Sequence, residues 1–239
     1  MLDRPIRIPV LRGPGRGHRL PLPRFGLRRA FVLALGRYEQ EVARFLAHSL
    51  QGRAVFFDVG ASTGYFVRLA IRTMPPDGTI VAFEPDPLAR GELEQLRAQA
   101  ATGTFLVRDE ALARGDGQAS LVSRDLVCGR LEGVGVALAG ASGRSIPVRT
   151  RSVDSLVTGG ELPSPDVVKI DAEGAERDIL EGMTRVLTEQ SPAVAVECHS
   201  MALFADVLRA FVDAGYEQIR CSAGGDGVGP PTVFARRTG

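Results

Sequence analysis

Over residues 38 to 50 the sequence YEQEVARFLAHSL places Val42, Phe45, Leu46 and Leu50 on one side of a 3.6-residue repeat. That spacing predicts an amphipathic helix lying over a sheet. Downstream, apolar runs of strand length alternate with helix-periodic segments: a strand near 54–59, a helix over 64–73, a strand at 79–84, a helix over 87–100 and a strand at 104–108. Strand, crossover helix, strand is the sign of a parallel sheet with helices on both faces, an α/β sandwich of three layers. Residues 111–150 break the rhythm. Gly115-Asp116-Gly117 signals a turn, short strands are predicted near 118–123 and 146–151, and the Gly/Ala-rich stretch GVGVALAGASG (133–143) lies between them. This reads as an insertion, about 112–150, over the working edge of the sheet. The alternation returns with a strand in PDVVKID (165–171), a helix from about 174, a strand at 193–198 and a helix over 201–214. Two β-type runs at 216–221 and 231–236 follow, and Gly224 to Pro231 would join them as a C-terminal antiparallel hairpin. There is no internal repeat.

Composition narrows the function classes. The 239 residues carry 29 basic and 28 acidic side chains, a net charge of +1, so overall charge gives no argument for a nucleic-acid or membrane partner. Cys128, Cys198 and Cys221 are odd in number and contain no CxxC pair. Neither a disulfide framework nor a zinc knuckle is suggested, and a reducing cytoplasm is the expected compartment. No apolar run approaches the roughly 20 residues that span a bilayer. Charge is unevenly placed, however. Residues 1–53 hold eleven arginines against Asp3, Glu39 and Glu41, and residues 1–36 read as an extended Arg/Pro-rich arm preceding a domain at 37–239. A solvated extension or an oligomerisation arm is favoured over an anion clamp, because arginine supplies nearly all the basic charge and Lys169 is the sole lysine.

The chemistry starts at AVFFDVGASTGYF (54–66), an apolar strand that ends in Asp58 and breaks into Gly60-Ala61-Ser62-Thr63-Gly64. Open α/β sheets bind ligands outside the carboxyl ends of their strands, where glycines allow close approach and a helix start offers unpaired N–H groups. Ser62 and Tyr65 stand where a GxGxxG fingerprint would need its second and third glycines, so a dinucleotide is not indicated. DxGxxxG instead offers a carboxylate for an ammonium and backbone donors for a carboxylate, as an amino-acid head group requires. Glu84 closes the next strand, where its two oxygens can accept both hydroxyls of a ribose. Asp109, just past the third strand, can meet an adenine amino group. Amino acid plus ribose points to S-adenosylmethionine, with Tyr65 expected to line it and Phe66 to belong to the core.

The segments VFFDVGASTGYF, IVAFEPDP, VRDEAL, VRTRSVDSL, VVKIDAEGAERDILEGM and VAVECH follow one another, over about residues 54–200, in an order that resembles the FkbM-type S-adenosylmethionine-dependent methyltransferases. The resemblance implies a class I methyltransferase (Rossmann-like) fold with a mostly parallel seven-stranded sheet, and O-methylation of a hydroxyl on a sugar or natural-product small molecule. N-methylation, or a cofactor-binding regulatory module without turnover, is the alternative. The resemblance further implies cofactor contacts from Asp58, Gly60, Gly64, Glu84 and the segment Asp109, Glu110 and Ala111, and the candidate cofactor set also takes in their neighbours Ala61, Ser62, Tyr65 and Pro85. The arm and residues 124–145 lie outside it.

A second group of polar residues is expected at the same sheet edge. Asp171 closes the fourth strand, Glu173 and Glu176 begin the next helix, and Glu197-Cys198-His199 close the fifth strand. Methyl transfer from a sulfonium needs in-line approach and removal of the acceptor proton. His199, with an ordinary pKa of about 6.5, is the candidate base, and Asp171, Glu173 and Glu197 complete the candidate catalytic set. Asp171 with Glu197 could also hold a hard divalent ion such as Mg²⁺. Glu173 and Glu176 have a plainer reading as charges favouring a helix start. Lys169 shares a strand face with Asp171 and reads as a partner for a nearby acid.

Overall fold

A computed structural model describes residues 7–13, 16–17, 19–21, 35, 39–100, 103–125, 128–132, 144–223 and 230–237. The amphipathic segment forms α1 (Gln40–Ser49), followed by β3 (Val55–Val59), α2 (Tyr65–Thr73), β4 (Thr79–Phe83), α3 (Pro87–Gln99) and β5 (Thr104–Arg108); β1 (Arg7–Pro9) and β2 (Arg19–Pro21) precede them. After the 111–151 region come β10 (Val167–Ile170), α5 (Glu176–Glu181), β11 (Ala193–Glu197), α6 (Met201–Asp213), β12 (Gln218–Ser222) and β13 (Thr232–Arg236). The main sheet runs β12-β13-β11-β10-β3-β4-β5, and β13 alone is antiparallel to its neighbours. This is the seven-stranded, mostly parallel sheet of the class I methyltransferase fold.

Alternation along each strand divides the core into two layers. Phe57, Val59, Val81, Val168, Ile170 and Val196 face α5 and α6, meeting Ile179 and Phe211. Phe56, Ile80, Ala82, Val167 and Ala195 face α1, α2 and α3, meeting Leu46, Phe66 and Leu93. Each fully buried aromatic or aliphatic side chain contributes roughly 1.5–3 kcal/mol. Local chemistry fixes the helix starts: Asp86 accepts from the N–H groups of Leu88 (2.8 Å) and Ala89 (3.2 Å) ahead of Pro87, and Ser200 accepts from Leu203 N–H at 3.1 Å.

Residues 111–151 build a sheet of their own, ordered β6 (Ala111–Leu112), β9 (Arg144–Arg151), β7 (Gly117–Asp125), β8 (Cys128–Glu132). Of these, β6 and β8 were not expected from the sequence; two residues and a Gly-containing pentapeptide carry no readable period. The Gly/Ala-rich 133–143 lies outside the described residues, as does 224–229, although β12 and β13 pair as the hairpin expected. A short helix, α4 (Val153–Thr158), capped by Ser152, and a π-helical turn at Val186–Gln190 were also not expected. Within the arm, β1 and β2 pair antiparallel, Val10 is buried in the α1/α2 layer, and Arg72 of α2 donates to the Arg16 carbonyl. This part of the arm is therefore folded back onto the domain.

Truncating the fully buried Phe57 to Ala is expected to cost about 3–5 kcal/mol in urea unfolding, whereas truncating Val212, 63% exposed, should change stability by less than about 0.5 kcal/mol.

Candidate active site

The chain winds from β3 to β5 in one direction and then returns through β10 and β11 on the other side of β3. Between β3 and β10 the strand order reverses, and it is outside the carboxyl ends at such a point that open α/β sheets place their ligands. Register sets Lys169 of β10 directly beside Asp58 of β3. Asp58 is fully buried, and its Oδ1 lies 3.4 Å from Lys169 Nζ. The same Nζ is 3.4 Å from Asp171 Oδ2 and donates to the Gly60 carbonyl at 3.1 Å. Burial would lower the Lys169 pKa, but Asp171, Asp58, Glu39 and Glu197 surround it and hold it above its ordinary value. Asp58 has only a share of that one cation, so burial prevails and its pKa is raised despite Lys169.

The loop after Asp58 turns through left-handed conformations at Gly60, Ser62 and Gly64. Gly60 is forced to be glycine: a Cβ there would lie 1.8 Å from the Asp171 carbonyl oxygen. The N–H groups of Gly60 and Ala61 donate to the Phe83 carbonyl, and Ser62 N–H donates to Glu84 Oε2 at 2.8 Å. These amides, expected from the sequence to face a ligand carboxylate, are used against the end of β4, and the first turn of α2 is left to offer donors. Tyr65 and Phe66 are both buried. Glu84 also accepts from Asp86 N–H at 2.9 Å, and Arg90 donates to the carbonyls of Glu84 and Pro85. Burial pushes Glu84 up to about 7, against the two backbone hydrogen bonds that lower it.

Past β5, Asp109 is exposed and stands 3.6 Å from Arg149. Glu110 is buried beneath Arg108 (2.7 Å) and Arg149 (3.1 Å), and Ala111 is buried in β6. Of this trio, Asp109 is the one whose polar side chain is exposed.

The second cluster converges as well. His199 Nδ1 contacts Oε1 of the fully buried Glu176 at 2.7 Å, and this carboxylate also accepts from Gly174 N–H. His199 Nε2 is 3.6 Å from both Asp171 Oδ1 and Glu173 Oε2. Burial lowers the histidine pKa, yet the Glu176 hydrogen bond and the charges of Asp171, Glu176 and Glu173 overcome it and push it up to about 9. The ordinary value used in the sequence argument therefore does not apply: at neutral pH the ring is an imidazolium. Glu176, read from the sequence as a helix-start charge, is what fixes the ring. Glu197 is pushed up to about 8, by burial first and then by Asp171 and Glu39.

Glu39 was missed altogether. It caps α1 in a left-handed conformation (φ 40°) and joins Asp171 and Glu197. Its only sequence signal was an acid at the head of the amphipathic helix, beside Glu41 of the first turn. Among the described residues, Asp171–Glu173–His199 and Glu39–Asp171–Glu197 are the groups whose donor atoms lie within 4.8 Å of one another. Oxygen-rich sets of this kind suit a hard divalent cation.

Glu84 bears on stability through its proton. With its pKa raised from 4.5 to about 7 in the fold, its favourable contribution is present below pH 4.5 and is lost as pH rises through about 7. Urea unfolding of the parent and Glu84→Gln across that window should show the parent losing on the order of 3 kcal/mol relative to the variant.

Comparison with known proteins gives consistent relatives. A family model described as the methyltransferase FkbM domain matches residues 58–217. Hexuronic acid methyltransferase AglP of Haloferax volcanii is 30% identical over 164 residues, 69% of this chain and 64% of the relative. The chain thus spans just under two thirds of the curated relative it matches. Among solved structures, a methyltransferase FkbM from Methylobacillus flagellatus aligns with a TM-score of 0.57 at 18% identity, covering 77% of this chain and 43% of that one. A SAM-dependent O-methyltransferase from Thermotoga maritima aligns at 0.51 with 10% identity, covering 83% and 65%.

Proposed function

The chain belongs to the FkbM methyltransferase family, and from that premise we propose that it transfers the methyl group of S-adenosylmethionine to an oxygen of a saccharide or related small molecule. The observation that carries the reading is the placement of Asp58 and Glu84 at the ends of adjacent strands beside the strand-order reversal. Asp58 takes the cofactor ammonium, Glu84 the ribose hydroxyls, and Asp109 the adenine end; Gly60, Ala61, Ser62, Gly64 and Tyr65 shape the floor. Ribose hydroxyls can replace the Ser62 and Asp86 amides on Glu84 or share its remaining lone pairs. The hexuronic acid named for the Haloferax relative makes uronic acids and their hydroxylated neighbours the first acceptors to screen.

The acceptor side follows from the charges present. Since His199 is held as an imidazolium, the acceptor proton goes to a carboxylate oxygen of Asp171 or Glu173, while the Nε2–H, 3.6 Å from each, steadies the oxygen as negative charge develops on it. Glu176 holds the ring in that orientation through Nδ1. Glu197, pushed up to about 8, keeps a proton at neutral pH and so limits repulsion around Asp171. A divalent cation fits the donor sets centred on Asp171; it would polarise acceptor hydroxyls, with Glu197 or Glu173 as the companion ligand.

Glu84→Ala should weaken S-adenosylhomocysteine binding by roughly 10- to 100-fold in calorimetry, the equivalent of losing about 1–3 kcal/mol of charged hydrogen bonding. His199→Ala should leave that affinity unchanged and lower methyl transfer to a uronic acid or other saccharide by about 100-fold or more. Two variants that bind and turn over like the parent would refute the site. Repeating the transfer assay with a chelator decides metal dependence.

A further inference from the structure

The buried ammonium of Lys169 is shared between carboxylates of two different functions. Its Nζ is 3.4 Å from Asp58 Oδ1 and 3.4 Å from Asp171 Oδ2, with its shortest bond, 3.1 Å, to the Gly60 carbonyl. Both carboxylate contacts are long for charged hydrogen bonds, which ordinarily measure about 2.7–2.9 Å. The Phe66 ring centroid lies 5.5 Å from the same nitrogen, and Lys169 is nearly fully buried. Neither oxygen of Asp58 receives a well-formed hydrogen bond from any described group, although the residue is fully buried. A buried acceptor left in this condition is costly unless a ligand donor fills it.

Resting on the S-adenosylmethionine reading above, we propose that Lys169 is a positioning residue that changes partner when the cofactor binds. The cofactor ammonium takes Asp58, and Lys169 closes on Asp171. Before binding, two carboxylates share one cation; afterwards each has its own. A displacement of roughly 0.6 Å would bring the Asp171 contact to about 2.8 Å. Occupation of the cofactor side thereby orders the carboxylate on the acceptor side, and by linkage an acceptor bound at Asp171 favours the cofactor in return. Protons are not exchanged in this step, because Lys169 remains charged throughout.

The sequence provides a clean probe, since Lys169 is the only lysine. In protein labelled with nitrogen-15 lysine, its ammonium gives a single side-chain NMR signal. That signal is followed during titration with S-adenosylhomocysteine and, separately, with methylthioadenosine, which keeps the nucleoside and thioether but lacks the ammonium and carboxylate; calorimetry establishes saturation for each. The signal should shift with S-adenosylhomocysteine and stay near its free position with methylthioadenosine. In Asp58→Asn it should start displaced toward the bound position of the parent and respond little to either ligand. An equal response to both ligands in the parent, or no response at saturating S-adenosylhomocysteine, overturns the proposal while leaving the cofactor reading intact. No calorimetric binding of S-adenosylhomocysteine at all would remove the cofactor reading and this inference together.

Discussion

A single buried cation at the strand-order reversal organises this molecule's chemistry. Parallel strands place like positions side by side, so an acid on β3 and an acid two residues beyond Lys169 on β10 are brought near each other whether or not their charges agree. Without a cation between them, Asp58 and Asp171 would repel in a region largely closed to water, where Coulomb interactions are weakly screened. Lys169 makes the arrangement possible, and its bond to the Gly60 carbonyl ties the loop that follows β3 to the same point. Gly60 in turn approaches the Asp171 backbone so closely that no side chain fits. The loop after β3 and the segment after β10 are thereby joined at one place.

The histidine cluster obeys the same logic with opposite signs. Glu176, Asp171 and Glu173 surround one ring, and the surplus of negative charge keeps that ring protonated. An isolated histidine at a strand end would have been a good proton acceptor at neutral pH. Surrounded as it is, His199 is better suited to donate hydrogen bonds than to take up a further proton.

Much of this was legible in the sequence. Strands 54–59, 79–84, 104–108, 165–171 and 193–198 were short, mostly apolar runs between helical periods, the pattern a parallel sheet leaves in a sequence. DxGxxxG and the strand-end Glu84 could be placed at one edge of the sheet because parallel topology brings strand ends together wherever they lie in the chain. Pairings set by three-dimensional surroundings were not legible. The shift of His199 depends on Glu176 arriving from the start of α5, and Lys169 was seen only as a partner for a nearby acid because its register with Asp58, 111 positions away, is not written locally. The two-residue β6 and the six-residue α4 were too short for any period to show.

Glu39 gives the boundary of the family match a particular meaning. The matched region begins at Asp58, whereas α1 ends before it at Ser49. Yet α1 packs Phe45 against Phe234 of β13, with ring centroids 5.0 Å apart, and its cap carries a carboxylate to Asp171 and Glu197. The region shared with the family and the carboxylate cluster around Asp171 therefore have different borders. Change in the segment ahead of the shared region can alter the charge beside Asp171 while the shared motifs stay intact.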